Sequence, residues 1–447
     1  MPLSGLDIYK LLPRTNCKEC GFPTCLAFAM KLAAKQAELA ACPYVSEESK
    51  AKLSAAAAPP IRLITLGADG QKVEVGNETV LFRHEKTFFH PPALVVRVLD
   101  TAAEAEIVAT ARAVARYKVD YVGIGLVLNG LAVEAASGDP GKFSAAVAAA
   151  KQAATLPLIL VSEDPAVMAA GLAKAGAVAP LICAATAQNW EAMAKLAKEH
   201  KAPLVVRAAT LAELAELTKK LVAAGVENLV LDPTERTFGG SLTVLTQLRR
   251  LALKKGAREV GYPIIAFPYL GVADPSLEPL LAAQQIAKYA GFVVLSHFDP
   301  ATVYPLLVLR QNIYTDPQKP IQVEPGTYPI NKPGAEAPVM VTTNFSITYF
   351  AVANELESSG MPGWLLVADA EGMSVLTAWA AGKFDAERIA KTVKGSGIAD
   401  KVNHRRVVIP GHVAVLMGEL EEELAGWEIK VGPREAVDLP RFLKTAL

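Results

Sequence analysis

Beyond residue 42 this 447-residue chain holds a single cysteine, Cys183, which leaves nothing for a disulfide framework across most of its length. Neither sign of charge is in excess, with 45 basic and 45 acidic residues, and there is no polybasic run. Nucleic acid is therefore not an expected partner. A long uninterrupted apolar run is also missing. The longest stretch, Val167 to Ala187, is Ala-rich and is broken by Lys174 and Pro180, so it reads as a helix followed by a buried strand rather than a membrane span. No signal peptide is apparent, and a soluble cytoplasmic protein is expected.

Four of the five cysteines fall within the first 42 residues. Cys17, Cys20, Cys25 and Cys42 read C-x2-C-x4-C-x16-C. A disulfide scaffold suits small secreted domains, which this chain is not. Structural zinc usually takes two C-x2-C pairs or a Cys-Cys-His-His set. Here the second pair is missing and the nearest histidine, His84, lies far downstream, so zinc is the weaker alternative. Four soft thiolates, three in a tight loop and one remote, suit a 4Fe-4S cube. Gly21 lets the chain bend behind Cys20, and Pro43 follows Cys42 as in bacterial ferredoxin runs, although the spacing differs from theirs.

The cluster module is expected to end near an Ala-Pro hinge, Ala55 to Pro60, and turns at Asp69-Gly70 and Gly76-Asn77 predict one or two hairpins in residues 61–92. Eight apolar β runs follow, at Leu94–Leu99, Tyr121–Leu128, Pro157–Val161, Ala179–Cys183, Pro203–Val206, Asn228–Leu231, Pro263–Phe267 and Phe292–Ser296. Stretches at helical spacing follow them, such as Lys142–Ala154 and Leu211–Ala224, and the series predicts a closed (β/α)8 TIM barrel. Six prolines between 317 and 338 predict an extended tether. Beyond it, strands at Val339–Thr343, Trp364–Ala368, Arg406–Ile409 and Trp427–Val431 alternate with helices in a smaller doubly wound, Rossmann or flavodoxin-like domain. The predicted chain is α/β throughout: a cluster domain over 1–58, a barrel with its N-terminal hairpin over 59–315, a linker over 316–338 and a ligand-binding domain over 339–447. Such sheets bind at the carboxyl ends of their strands, which marks the loops 342–344, 369–374, 410–412 and 432–434.

The barrel offers no catalytic constellation. Asp164-Pro165, Asp232-Pro233 and Asp299-Pro300 follow strands directly and read as helix N-caps with proline at the first helical position. His297 could be an acid/base or a ligand but is a lone histidine with no visible partner, Arg207, Arg236 and Asn129 could bind an anion but are equally ordinary loop residues, and Cys183 reads as an inert core thiol.

This order of parts resembles the large (gamma) subunits of the corrinoid iron-sulfur proteins of the acetyl-CoA pathway, over essentially the whole chain. The resemblance is carried by Asn16-Cys17-Lys18-Glu19-Cys20-Gly21 with Pro23-Thr24-Cys25, by Val341-Thr342-Thr343-Asn344-Phe345-Ser346, by Gly372-Met373-Ser374-Val375-Leu376-Thr377, and by Val431-Gly432-Pro433-Arg434-Glu435-Ala436. It implies a cobalamin-type corrinoid in the C-terminal domain, a barrel paired with that of a small (beta) subunit in a heterodimer, and a mobile cluster domain. The implied activity is corrinoid-dependent methyl transfer, with this chain as carrier and no catalytic residue of its own. Cobalt as Co(I) would accept methyl from methyltetrahydrofolate on a separate methyltransferase and pass it to the nickel-iron cluster of acetyl-CoA synthase. The 4Fe-4S cluster on Cys17, Cys20, Cys25 and Cys42, fed by a reductive activator or ferredoxin, would return Co(II) to Co(I).

The implied corrinoid contacts are Thr342, Thr343 and Thr348 at the first turn and Gly372, Met373, Ser374, Val375, Leu376 and Thr377 at the second. Pro410 and Gly411 follow at the third, and Gly432 and Ala436 at the last. A large apolar ring fringed by amides calls for such glycines, hydroxyls and apolar side chains. The bland reading is that Ser374 and Thr343 only cap helices. The motif D-x-H-x-x-G, whose histidine ligates cobalt in many corrinoid domains, is missing, and the expected cobalt is base-off without a protein axial ligand. Losing that donor favours the low-valent metal, within reach of clusters whose potentials extend to about −700 mV. His412 is the one histidine placed to approach the ring. Two rivals stand beside this reading: a barrel methyltransferase that binds the pterin itself, and an electron carrier without corrinoid. Both end domains are expected to move on their linkers.

Overall fold

The computed structural model describes residues 5–33, 37, 39–46, 48–50, 53, 59–67, 71–121, 124–176, 179–315 and 322–446. It divides into two compact units, 1–117 with 128–314, and 118–127 with 315–447. The expected turn at Asp69-Gly70 and most of the Ala-Pro hinge lie outside the described residues.

In the first unit, the helices Gly5–Leu11 and Cys25–Ala33 form a small module with its own core of Ile8, Leu12, Phe28, Ala29 and Val45. Thr24 starts the second helix, its hydroxyl accepting the Ala27 amide at 3.0 Å. A hairpin of β1 (Ile64–Leu66) and β2 (Val73–Val75) comes next, and its apolar residues Ile64, Leu66, Val73 and Val75 join the barrel interior.

The barrel opens with β3 (Ala93–Leu99). The strands β4 (Lys118–Tyr121) and β5 (Ile124–Val127) then form an antiparallel hairpin that belongs to the second unit. The barrel resumes with β6 (Gly130–Glu134), β7 (Leu158–Val161), β8 (Leu181–Ala185), β9 (Leu204–Arg207), β10 (Leu229–Asp232), β11 (Ile264–Ala266) and β12 (Ala290–Leu295), which pairs with β3 and closes the ring. Tyr121–Leu128 is thus not the second barrel strand, and Gly130–Glu134 is. The run Tyr121 to Leu128 has the apolar content of a buried strand, but β4 alternates exposed and half-buried positions, and Gly125 lies against the Lys118 side chain. That is the pattern of a hairpin with one face outward. Ala93, Val95, Ala132, Ile159, Leu181, Val205, Val230 and Phe292 fill the ring, as a sheet buried on both faces requires.

The second unit is built on a five-stranded sheet of β13 (Gly326–Ile330), β14 (Val339–Thr343), β15 (Gly363–Ala368), β16 (Arg406–Ile409) and β17 (Glu428–Val431), in the order β13-β15-β14-β16-β17. Four strands run parallel and β13 pairs antiparallel with β15 at the edge. Part of the expected tether is therefore sheet, and Val323 and Ile330 are core residues. The prolines misled because an edge strand tolerates them: Pro329 sits opposite Trp364 and needs no amide proton on its outer side. Residues 316–321 of that tether, with Pro317 and Pro320, lie outside the described residues.

The helices Ser346–Ser359 and Leu439–Ala446 cover one face of this sheet, where Tyr121 of the β4-β5 hairpin also packs. The helices Val375–Ala380, Ala386–Gly395 and Met417–Glu423 cover the other. The chain breaks between the first two of these helices, and Asp385 caps the second through the Arg388 amide at 2.9 Å. With helices on opposite faces before and after β15, the crevice between the ends of β14 and β16 is the topological switch point, where a doubly wound sheet binds its ligand.

Candidate functional site

A cavity of about 330 Å³ opens at that switch point. Its walls are apolar side chains from four elements: Met340 and Val341 of β14, Ile347, Ala351 and Val352 of the following helix, Val375 and Leu376 at the next helix start, and Leu439. Ile347, Thr348, Ala351 and Val352 share one helix face by their spacing. Of the residues expected to hold a ring, Thr342, Thr348, Ser374, Val375, Leu376, Pro410, Gly432 and Ala436 line the cavity, and His412 joins them.

Thr343, Gly372, Met373, Thr377 and Gly411 do not line it. Successive strand residues face opposite sides, so Thr342 reaches the cavity and Thr343, fully buried, turns away. Met373 packs against the opposite core. Thr377 shares a 3.0 Å hydrogen bond with Ser374, whose hydroxyl makes no cap, so the capping reading of Ser374 fails. Thr343 lies in a strand and caps nothing either.

Gly411 acts on the floor from behind. A Cβ there would stand 2.5 Å from the Gly432 carbonyl oxygen and 2.9 Å from the Arg434 amide, so the β16 and β17 loops can close together only without a side chain. Gly372, at φ +71°, lies against Gln322. The loop that carries Gly372 and Ser374 is held by Asn344, which is 2% exposed. Asn344 Oδ1 accepts from the amides of Ala370 and Gly372, both at 2.9 Å, and its Nδ2 donates to Gln322 and Asp369, both at 3.3 Å. The sequence reading marked Asn344 only as part of a loop, with no role, and missed Ile347, Ala351 and Val352. Their signals were an asparagine directly after a strand and the i, i+4 spacing of Ile347 and Ala351.

The lining fits an apolar macrocycle edged with amides. The hydroxyl oxygen of Thr342 is buried at the cavity and has no hydrogen-bond partner among the described residues, so an incoming amide would satisfy a group that the protein alone leaves unpaired.

The N-terminal thiols are placed differently. Cys17 is exposed, Cys20 half-buried, and Cys25 and Cys42 are buried in the module core. The loop between the two helices takes left-handed backbone at Arg14, Asn16, Lys18 and Gly21, the shape in which consecutive amides form an anion-binding hollow. The Asn16 amide donates to Cys25 Sγ at 3.4 Å, and Cys25 opens the second helix. Two thiols on this loop, a third at its end and a fourth beyond the second helix suit an iron-sulfur cluster in donor type. Among the described residues no three His, Cys, Asp or Glu side chains already stand as a metal-holding group.

The barrel mouth carries a dense polar set that satisfies itself. Asp232 ends β10 at 0% exposure and pairs with Arg207 and Arg236, each at 2.8 Å. It is no helix cap, in contrast to Asp164 and Asp299, whose carboxylates accept the first amides of their helices. Burial works against the Asp232 anion, but the two guanidiniums outweigh it and hold its pKa below the usual carboxylate value. Arg207 also meets Glu163 at 2.5 Å. Arg97 pairs with Glu134 at 3.1 Å, and the Tyr269 hydroxyl donates to the same Glu134 oxygen at 3.2 Å. Burial pushes the Cys183 thiol up to about 12, so it stays protonated and inert.

Comparison with known proteins follows the same division. A family profile described as the CO dehydrogenase/acetyl-CoA synthase delta subunit matches residues 63–443, and one for an Fe-S cluster matches residues 12–44. The chain is 48% identical over 447 residues to a corrinoid/iron-sulfur protein large subunit of Moorella thermoacetica, covering 100% of both chains. It is 38% identical over 454 residues to an acetyl-CoA decarbonylase/synthase complex subunit gamma of Methanopyrus kandleri, covering 99% of this chain and 97% of the relative. The corresponding subunit of Archaeoglobus fulgidus is also 38% identical, over 463 residues, with 99% and 98% covered. Among the described residues no helix is long and apolar enough to cross a membrane.

Proposed function

The chain belongs to the corrinoid/iron-sulfur protein large-subunit family of the acetyl-CoA pathway, and on that footing we propose that it is a methyl carrier whose corrinoid lies in the β14/β16 cleft. When bound, that group would supply methyl-carrying cobalt chemistry between methyltetrahydrofolate on a separate methyltransferase and the nickel-iron cluster of acetyl-CoA synthase, and a 4Fe-4S cluster would supply the electron that keeps the cobalt as Co(I).

The chain's own contribution is to bind, orient and exclude water. Ile347, Val375 and Leu376 offer apolar contact, and Thr342 and Ser374 offer hydroxyls to the ring's amides. Gly411 and Gly432 keep the floor at backbone height. Cys17, Cys20, Cys25 and Cys42 are the proposed cluster ligands, in an electron-delivery module over 1–58, and residues 339–447 form the corrinoid domain. The small subunit, the methyltransferase, acetyl-CoA synthase and a reductive activator or ferredoxin are the proposed partners. The unsatisfied Thr342 hydroxyl in an apolar switch-point cavity is the observation that carries this reading.

The test is anaerobic purification of the full chain with its small subunit, followed by iron and cobalt analysis and an absorption spectrum. About four irons and one corrinoid cobalt per heterodimer are expected. A folded heterodimer that holds iron and refuses every cobamide offered would overturn the proposal. His412 lines the cavity and is not proposed as a cobalt ligand. Nitrogen superhyperfine splitting in the electron paramagnetic resonance of the Co(II) form, lost in His412→Ala, would contradict that.

A further inference from the structure

A second cavity, of about 350 Å³, opens at the C-terminal ends of the first and eighth barrel strands, β3 and β12. Arg97, Thr101, Glu106, Thr110, Ser296 and His297 supply its polar lining. His297 is not the lone histidine that the sequence suggests. Glu278, 4% exposed, accepts the Ser296 amide at 2.7 Å on one carboxylate oxygen and the Ser296 hydroxyl at 2.5 Å on the other. Ser296 has one hydroxyl proton and gives it to Glu278, so its oxygen can only accept from His297 Nδ1, 2.7 Å away. The buried carboxylate thus fixes Nδ1 as the protonated nitrogen of the neutral ring, whose Nε2 is then an acceptor and becomes a donor only in the imidazolium. Nε2 is left to meet whatever enters the cavity.

Arg97 supplies a second spare donor. Its Nη1 is committed to Glu134 and its guanidinium lies 4.1 Å over the Tyr269 ring, but Nε is buried with no partner among the described residues. A buried guanidinium N–H left unpaired is costly, and an acceptor placed there removes the cost. The neighbouring carboxylates are already engaged: Glu278 by Ser296, Glu134 by Arg97 and Tyr269, and Asp299 by the start of the helix Pro300–Ile313. Only Glu106, exposed on the first turn of the helix Glu104–Arg116, adds free negative charge at the rim. Arg97 Nε is thus a spare donor on a residue that lines this cavity, and His297 Nε2 is a second in the imidazolium ring, at the end of the barrel where such folds bind their ligands.

We propose that this cavity binds the oxyanion head, carboxylate or phosphate, of a small metabolite, with Arg97 Nε as one donor and His297 Nε2, in the imidazolium ring, as the other. The proposal does not depend on the corrinoid reading. It is tested on the full chain labelled with 15N-histidine, titrated separately with acetate and with inorganic phosphate against chloride at constant ionic strength. The His297 ring signals, assigned through His297→Gln, should shift and saturate with at least one anion while those of His84, His90, His200, His404 and His412 stay still. Saturation by acetate alone assigns a carboxylate ligand, and by phosphate alone a phosphate ligand. Arg97→Gln should weaken binding about tenfold or more, the loss of one charged hydrogen bond. Should Arg97→Gln misfold, Thr110→Val reads the same site from the facing helix, with a weakening of about threefold. A non-saturating response to both anions, or a saturating one indifferent to these substitutions, overturns the proposal.

Discussion

The mouth of the barrel and the mouth of the C-terminal sheet are the same kind of place, the carboxyl ends of parallel strands, and they are furnished in opposite ways. The first is crowded with charge, yet Asp232, Arg207, Arg236 and Glu163 neutralise one another, as Glu134 does Arg97 at its Nη1. The second is mostly apolar, with few polar atoms, but one of them, the Thr342 hydroxyl, is buried and unpaired, and Gly411 keeps its floor bare. Density of polar groups is thus a poor guide to function. Unspent hydrogen-bonding capacity and backbone left uncovered are better ones, and the same criterion picks out Arg97 Nε and His297 from an otherwise closed barrel end.

The sharpest test of the contrast is Asp232→Ala. Removing the shared anion strands Arg236, 18% exposed, and leaves Arg207, 20% exposed, with Glu163 alone, and should cost about 3 kcal/mol, measured by native-state hydrogen exchange at barrel amides such as Val206. Cobamide uptake should not change, and a loss of uptake in the folded variant would break the comparison. The folded-state pKa of Asp232 lies below its unfolded value, so this contribution is complete above the ordinary carboxylate range and disappears as pH falls through the lower, folded value. The stabilities of the variant and the parent should therefore converge in strong acid. On the other side, Gly411→Val should weaken cobamide binding by about 2 kcal/mol, roughly thirtyfold, because the loops must part to admit a side chain. Asn344→Ala removes the acceptor for the Ala370 and Gly372 amides, and an effect of about 1–2 kcal/mol is expected. It should be read as faster exchange of those two amides in the cobamide-free chain.

Periodicity made the architecture readable in advance. Buried parallel strands are continuous apolar runs, and seven of the eight barrel strands stand out that way. The second barrel strand was misassigned because Tyr121–Leu128 has the right composition, and composition does not report that the alternate residues Lys118 and Asp120 face outward in a hairpin. At the site, glycines and hydroxyls on turns were visible. What strand alternation decides, Thr342 inward and Thr343 away, was beyond a reading of the motif as a block. Partners across sequence were hidden too: Glu278 lies 18 residues before Ser296, and without it His297 looks ordinary.

The smallest expected effect is the most telling. Thr342→Val keeps the side chain's shape and deletes a hydroxyl that has no partner among the described residues. If the hydroxyl is merely trapped, the substitution should stabilise the cobamide-free chain, since it removes a desolvated polar atom at no loss of packing. If it waits for a ring amide, the same change should leave the loaded protein worse by about 1 kcal/mol, a fivefold rise in the cobamide dissociation constant. The two effects have opposite signs, so thermal midpoints measured with and without cobamide separate them in one pair of experiments. A midpoint that rises equally in both states would mean that this unpaired oxygen is incidental, and the contrast between the two mouths would then rest on shape alone.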